Sequence, residues 1–95
     1  MNGVERIAAE RQRQIEVEGW TPDYDDGHDT GDLAHAAVAY IKVTLDPQGT
    51  TITPGYWPWL KSWWKPGDPI RNLEKAGALI AAEIDRLLRR EVTVK

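Results

Sequence analysis

Residues 56–66 read YWPWLKSWWKP and place Trp57, Trp59, Trp63 and Trp64 beside Lys61 and Lys65. Tryptophan offers the largest stacking face of any side chain, and a base stacked on an aromatic ring contributes on the order of 1–3 kcal/mol. Lysine and arginine supply the complementary chemistry, a cation for phosphate. Lys61, Lys65 and Arg71, together with Arg11 from further up the chain, are the candidates for that role. Rings for a base and cations for phosphate are the components of a nucleotide site. The same residues have a plainer use. The chain contains no phenylalanine, so its tryptophans must fill the core, and an open Trp cluster without a partner is an aggregation liability. The expectation is that two of the four rings are buried and that one or two line a pocket or a subunit contact. A solvent-accessible ring beside Lys61, Lys65 or Arg71 favours a ligand site. Four fully buried rings favour a structural role.

Two other groups of residues bear on chemistry. If a helix begins near His28, then His28, Asp32 and His35 fall at i, i+4 and i+7 on one face, a donor set suited to zinc or manganese. The alternative is a solvated helix start with a capping aspartate and two surface histidines. The second group is the carboxylates. All-α nucleotide pyrophosphohydrolases of the MazG type hold magnesium with ExxE followed later by ExxD, and the helical layout here is loosely similar to theirs. Magnesium needs hard oxygen ligands and bridges phosphates. Glu10, Glu16 and Glu18 do not give the first spacing, and Glu83-Ile84-Asp85 is one residue short of the second. Magnesium is therefore expected only if that enzymatic reading holds; otherwise no cofactor is expected. No GxSxG, P-loop, GxGxxG or Cys/His nucleophile arrangement is present.

At 95 residues the chain reads as one domain, of a size that often gains stability by self-association. It has no cysteine, which excludes a disulfide framework and a thiolate metal site. The start, MNGVERIAAERQ, lacks an apolar core for a signal peptide, and no apolar run reaches the roughly 20 residues that cross a bilayer. A net charge of −3 argues against general nucleic-acid binding. Charge is uneven along the chain. Residues 21–35 hold Asp23, Asp25, Asp26, Asp29 and Asp32 with no lysine or arginine, while residues 57–75 hold Lys61, Lys65, Arg71 and Lys75.

These residues must be positioned by helices, and the expected fold is mainly α: three principal helices, a short Trp-rich helix or loop, and a minor β-hairpin left open. The first helix spans about 3–18, with Val4, Ile7, Ala8 and Ile15 as its apolar stripe and Gly19 as its stop. The stripe has a polar gap at Arg11 and Gln14. Arg11 either snorkels over the core or meets an anion or acidic partner. Residues 19–31 form a loop that Trp20 pins to the core, and Asp29 or Thr30 caps the next helix. That helix, about 31–44, is apolar on two sides: Leu33, Ala36, Ala37, Tyr40 and Thr44 on one, Ala34, Val38, Ile41 and Leu45 on the other. Residues 46–56 are either a hairpin, pairing 43–45 with 51–53, or a loop. Pro58–Trp64 is a short helix. Asp68 and Pro69 start the last helix, about 69–90, with Leu73, Ala76, Gly77, Ile80, Ile84, Leu87 and Leu88 as its stripe. Residues 91–95 are a frayed or extended tail.

The segments GWTP…D…H, WPW, WWKP and KAGALI…EI, spread over about residues 5–88, resemble a family of small, mostly uncharacterised proteins of tailed phages and prophages. The resemblance implies a phage accessory protein in the cytoplasm of an infected bacterium. Accessory proteins of this size often counter host defence. One kind is an oligomeric sponge that sequesters a cyclic or ADP-ribose-derived signalling nucleotide without cleaving it. Another covers a host defence protein, as anti-CRISPR proteins do. The expectation carried forward is a homo-oligomeric, non-enzymatic nucleotide binder, with the magnesium-dependent hydrolase and the protein inhibitor as alternatives.

Overall fold

In the N-terminal stretch, Asn2 caps the first helix, α1 (Gly3–Glu16): its side chain accepts from the Glu5 N–H while the Glu5 carboxylate accepts from the Asn2 N–H. Reciprocal capping of this kind satisfies two otherwise orphaned donors. The helix ends at Glu16 with Val17 as its C-cap, a little before the expected stop. Gly19, at φ +75°, turns the chain just beyond that end, and the Trp20 N–H donates back to the Gln14 carbonyl at 3.0 Å. The computed structural model describes residues 1–27, 31–46 and 52–94.

Residues 19–31 are not simply a loop. Thr21 caps, and Pro22 opens, a short helix, α2 (Pro22–Asp26), the Thr-Pro start that a fixed proline φ favours. Helix α3 (Asp32–Leu45) follows, entered through Gly31 at φ +82°. The capping residues expected there, Asp29 and Thr30, lie outside the described residues. Helix α4 (Pro69–Val94) is the longest element. Asp68 caps it, accepting from the Arg71 N–H at 2.9 Å. It runs on through Val94, so the expected tail is helical.

Helices α1, α2 and α3 all pack on α4. The core lies mainly between α3 and α4, closed by Trp57 and Trp64. Ala36, Ala37 and Ala39 of α3 meet Ala76, Leu79 and Ala82 of α4. Small residues let the helix axes approach, while Tyr40 and the two indoles supply the bulk. The second apolar side of α3 faces outward, with Val38 and Leu45 exposed.

Several expectations need correction. Residues 43–45 belong to α3, so they form no hairpin; there is no strand among the described residues, and the turn at 47–51 lies outside them. The Trp-rich helix is only a 3₁₀ turn, Lys61–Trp63. Trp57 and Trp59 meet edge to face at 5.3 Å, an i, i+2 contact that a helix does not allow. The buried side of α1 is polar: Glu10 and Gln14 are buried while Val4 and Ala8 are exposed. On α4 the expected stripe points mostly outward; of it, Ala76 alone is buried and Gly77 half-buried. Leu73, Ile80, Ile84, Leu87 and Leu88 are exposed, and Asn72, Ala76, Leu79, Ala82 and Arg86 are buried. The large aliphatics signal a stripe by their hydrophobicity, but the aromatic residues have already filled the volume on the inner side. Its apolar part is alanines and one leucine, flanked by Asn72 and Arg86.

Candidate functional site

The aromatic residues form a continuous chain from core to surface. Tyr40 packs on Trp64 at 4.9 Å and meets Trp57 edge to face at 5.7 Å. Trp57 meets Trp59, Trp59 meets Trp20 at 5.3 Å, and Trp20 meets Trp63 at 6.1 Å. Trp57 and Trp64 are buried, Trp20 and Trp59 are half-buried, and Trp63 is 37% exposed. Exposure rises along the chain, so the inner rings build the core and the outer rings present faces. Trp57 also donates its indole N–H to the Leu60 carbonyl at 3.1 Å, which fixes the path of residues 57–60.

Two cavities share the Trp20–Trp63 wall. One is an open cleft of about 520 Å³ lined by Trp20, Tyr24, Pro58, Trp59, Leu60 and Trp63. The other is a recess of about 30 Å³ behind the same two rings. Its other walls come from Glu10, Arg13, Gln14 and Glu18 of the α1 region, Tyr40 of α3, Lys65, and Lys75 and Leu79 of α4. The cleft is roomy enough for a planar heterocycle. The recess holds little more than one water-sized or amino-sized group.

The recess is strongly polar. Glu10 is 3% exposed and accepts from Arg13 at 2.8 and 3.0 Å and from Arg71 at 2.6 Å. Burial alone would raise its carboxyl. The hydrogen bonds from Arg13 and Arg71 outweigh that and hold it below the usual range. Arg13 reaches on to Glu18 at 3.0 Å, and Arg71 to Glu74 at 3.0 Å. Arg6 closes the far end on Glu74 at 3.1 Å. Alternating charges thus link α1 to α4. Lys75 donates to the Lys65 carbonyl at 2.6 Å and lies over the Tyr40 ring at 5.4 Å. Burial, reinforced by the nearby Arg71 charge, lowers the Lys75 pKa from its ordinary value. The Tyr40 hydroxyl accepts from the Lys65 N–H, and burial raises its pKa.

Gln14 is the residue this recess leaves unsettled. It is 1% exposed, its amide N–H donates weakly to Glu10 at 3.4 Å, and among the described residues no donor reaches its Oε1. Reversing the amide would set its oxygen against the Glu10 carboxylate, so the orientation follows from the neighbour. A buried acceptor without a donor costs about 1–3 kcal/mol. A ligand N–H or O–H would remove that cost.

No family model, no curated protein and no solved structure matches the chain.

Of the residues singled out by sequence, Trp59 and Trp63 line the cleft, and Trp57 and Trp64 are part of the core behind it. Lys65 lines the recess, with its ammonium 5.6 Å from the Trp63 ring centre. Lys61 is exposed in the 3₁₀ turn. Arg71 and Arg11 are taken up within the chain. Arg71 serves Glu10 and Glu74, while Arg11 binds the buried Asp25 at 2.5 Å and the Trp20 carbonyl at 3.2 Å. Arg11 therefore meets an acidic partner rather than snorkelling. Of the metal candidates, Asp32 opens α3, His35 is exposed, and His28 lies outside the described residues. No cluster of three or more metal-ligating side chains occurs among the described residues.

Gln14, Arg13, Glu18, Lys75 and Tyr40 were not anticipated as site residues. The polar gap at residues 11 and 14 was the available signal: an amphipathic helix with Gln and Arg on its inner face must satisfy them somewhere. Asn72 was also missed. Buried in α4, it accepts from the Gly67 N–H at 2.7 Å and donates to the Gly67 carbonyl at 3.0 Å, stapling the WWKPG segment to the helix.

Proposed function

We propose that the protein binds a nucleotide-like ligand and holds it without cleaving it. The observation that carries this reading is the shared Trp20–Trp63 wall between an open aromatic cleft and a polar recess with an unsatisfied acceptor. A base would stack on the outer indole faces; the Trp20–Trp63 separation of 6.1 Å is too small for a ring to slide between them. An amino or hydroxyl group of the ligand would meet Gln14 Oε1. Phosphate would meet Lys65, with Lys61 on the adjacent turn.

Sequestration is favoured over hydrolysis because Glu10 and Glu18, the carboxylates that line the recess, are both engaged by arginine. A protein-inhibitor role through an acidic loop is less well supported. Asp25 is buried against Arg11, and Asp26 pairs with Arg89 at 2.7 Å, so much of that charge is spent internally. With the resemblance to phage accessory proteins, the reading becomes an anti-defence sponge acting on a nucleotide immune signal in the host cytoplasm, in oligomeric form. Among the described residues no helix is long and apolar enough to cross a membrane.

The test is calorimetric titration and thermal shift with a panel of nucleoside triphosphates, cyclic dinucleotides and ADP-ribose derivatives, followed by chromatography of ligand released on denaturation. Tight binding with intact ligand recovered is the expected result. Turnover that chelator abolishes would replace the proposal with the magnesium-dependent hydrolase. Absence of binding across the panel would overturn the nucleotide reading.

A further inference from the structure

The outward stripe of α4 has a spacing that a solvated face does not need. Ile70, Leu73, Gly77, Ile80, Ile84 and Leu87 recur at intervals of three and four residues, the pattern of a helix seam that pairs with another helix. Gly77 is where α1 crosses this seam: a Cβ there would lie 2.6 Å from Cδ1 of Ile7, so the crossing falls at the one seam position lacking a side chain. The other five residues are 43–61% exposed, and Leu88 beside them is 53% exposed. Helix length explains why. Helix α4 runs about 39 Å, whereas α1 and α3 each span about 21 Å and cannot cover all of it.

We infer that this face is the contact between two copies of the chain, related by a two-fold axis through the α4 seam. Six aliphatic side chains about half exposed leave an apolar strip on the order of 500 Å², the upper end of what a lone soluble chain presents. Doubled across a two-fold axis, this reaches about 1,000 Å², where specific interfaces begin. Val4 and Ala8 of α1, both exposed beside Ile7, extend it. Charge does not oppose the pairing. Glu74 and Glu83, which border the seam, are engaged within the chain by Arg6 and Arg71 and by Arg86. A second copy is the occupant that fits because the seam is self-complementary: it meets its own pattern of large aliphatics, and the exposed charges of Asp85 and Arg90 lie only at its edges.

The inference does not depend on the ligand. Sedimentation equilibrium of the full chain without ligand should show a dimer at protein concentrations up to about 100 µM. Ile84→Arg, which puts a charge in the middle of the strip, should weaken dimerisation at least about 100-fold while leaving the helical circular dichroism unchanged. Val38→Arg, on the exposed side of α3, should leave the dimer intact. If Ile84→Arg disturbs the fold, Leu87→Gln gives the same readout with a smaller change. A monomeric wild-type chain overturns the inference. So does a dimer that survives both α4 substitutions or is broken by Val38→Arg.

Discussion

At the scale of single residues, neighbouring tryptophans have opposite duties. Trp63 presents a face to the cleft, while Trp64 is buried against Tyr40 and Trp57. Trp64→Ala should lower stability by about 3–5 kcal/mol, read as a fall in denaturant midpoint. Trp63→Ala should cost under about 1 kcal/mol yet weaken nucleotide binding by roughly ten-fold or more, the loss of one stacking contact. Equal effects on stability would mean that Trp63 is also core and that the cleft is not a binding face. Gln14 gives a complementary test. Gln14→Leu removes an unsatisfied buried acceptor, so the free protein should be no less stable, or more stable by up to about 1 kcal/mol. Its affinity should nevertheless fall for ligands that carry an amino or hydroxyl donor, and should hold for analogues that lack it. Uniform loss across all ligands would point instead to a collapsed recess.

At the scale of elements, the segment that carries the cleft is tied to the helices by the Tyr40 hydroxyl and Lys75, both bonded to Lys65, and by two hydrogen bonds between Asn72 and Gly67. Asn72→Ala removes both hydrogen bonds to Gly67 and leaves its N–H and carbonyl without their partner. The expected cost is about 1–3 kcal/mol, with increased amide exchange confined to residues 64–68 and weaker ligand binding. Exchange rising equally in α3 would contradict a local role. Asn72 also shows what sequence reading could not reach. The three long helices were legible, because start and stop signals are local: Asp68 and Pro69 start α4, and Gly19 turns the chain just beyond the end of α1. Short α2 was not, because its Thr-Pro start lies in a stretch rich in Asp and Gly. Their inner faces were not. Hydrophobicity marks which residues prefer to be buried, but the size of the neighbours decides which fit. Here Ala76, Leu79 and Ala82 pack in the core with the alanines of α3 and the bulk of Tyr40, Trp57 and Trp64, while Ile80 and Ile84 stay exposed. The same limit applies to the site. Trp63 and Lys65 could be picked out by composition in one short segment. Gln14 and Lys75 reach the recess only through the crossing of α1 and α4, which no local pattern encodes.

At the scale of the whole molecule, α1 is held to α4 less by apolar contact than by the run of charges Arg6–Glu74–Arg71–Glu10–Arg13–Glu18. Its centre is Glu10, whose carboxyl Arg13 and Arg71 hold below the ordinary range despite burial. A group whose folded pKa is depressed stabilises the fold above its unfolded value, near 4.5, and loses that contribution as pH falls through the folded value. Stability contributed by Glu10 should therefore be constant between pH 7 and about 5 and decline at lower pH. Replacing Glu10 by glutamine leaves Arg13 and Arg71 beside each other without the carboxylate between them, at a cost of about 3 kcal/mol near neutrality. For a chain of this length that is a fall of roughly 12–24 °C in Tm. Protonation of the wild-type carboxyl produces nearly the same neutral group, so the gap between the two proteins should narrow steadily as the pH falls below the unfolded value. Thermal melts of both across pH 3–7 test the idea directly. A gap that stays constant with pH would mean that Glu10 acts through its shape and not its charge, and that α1 is fastened to α4 by something other than this network.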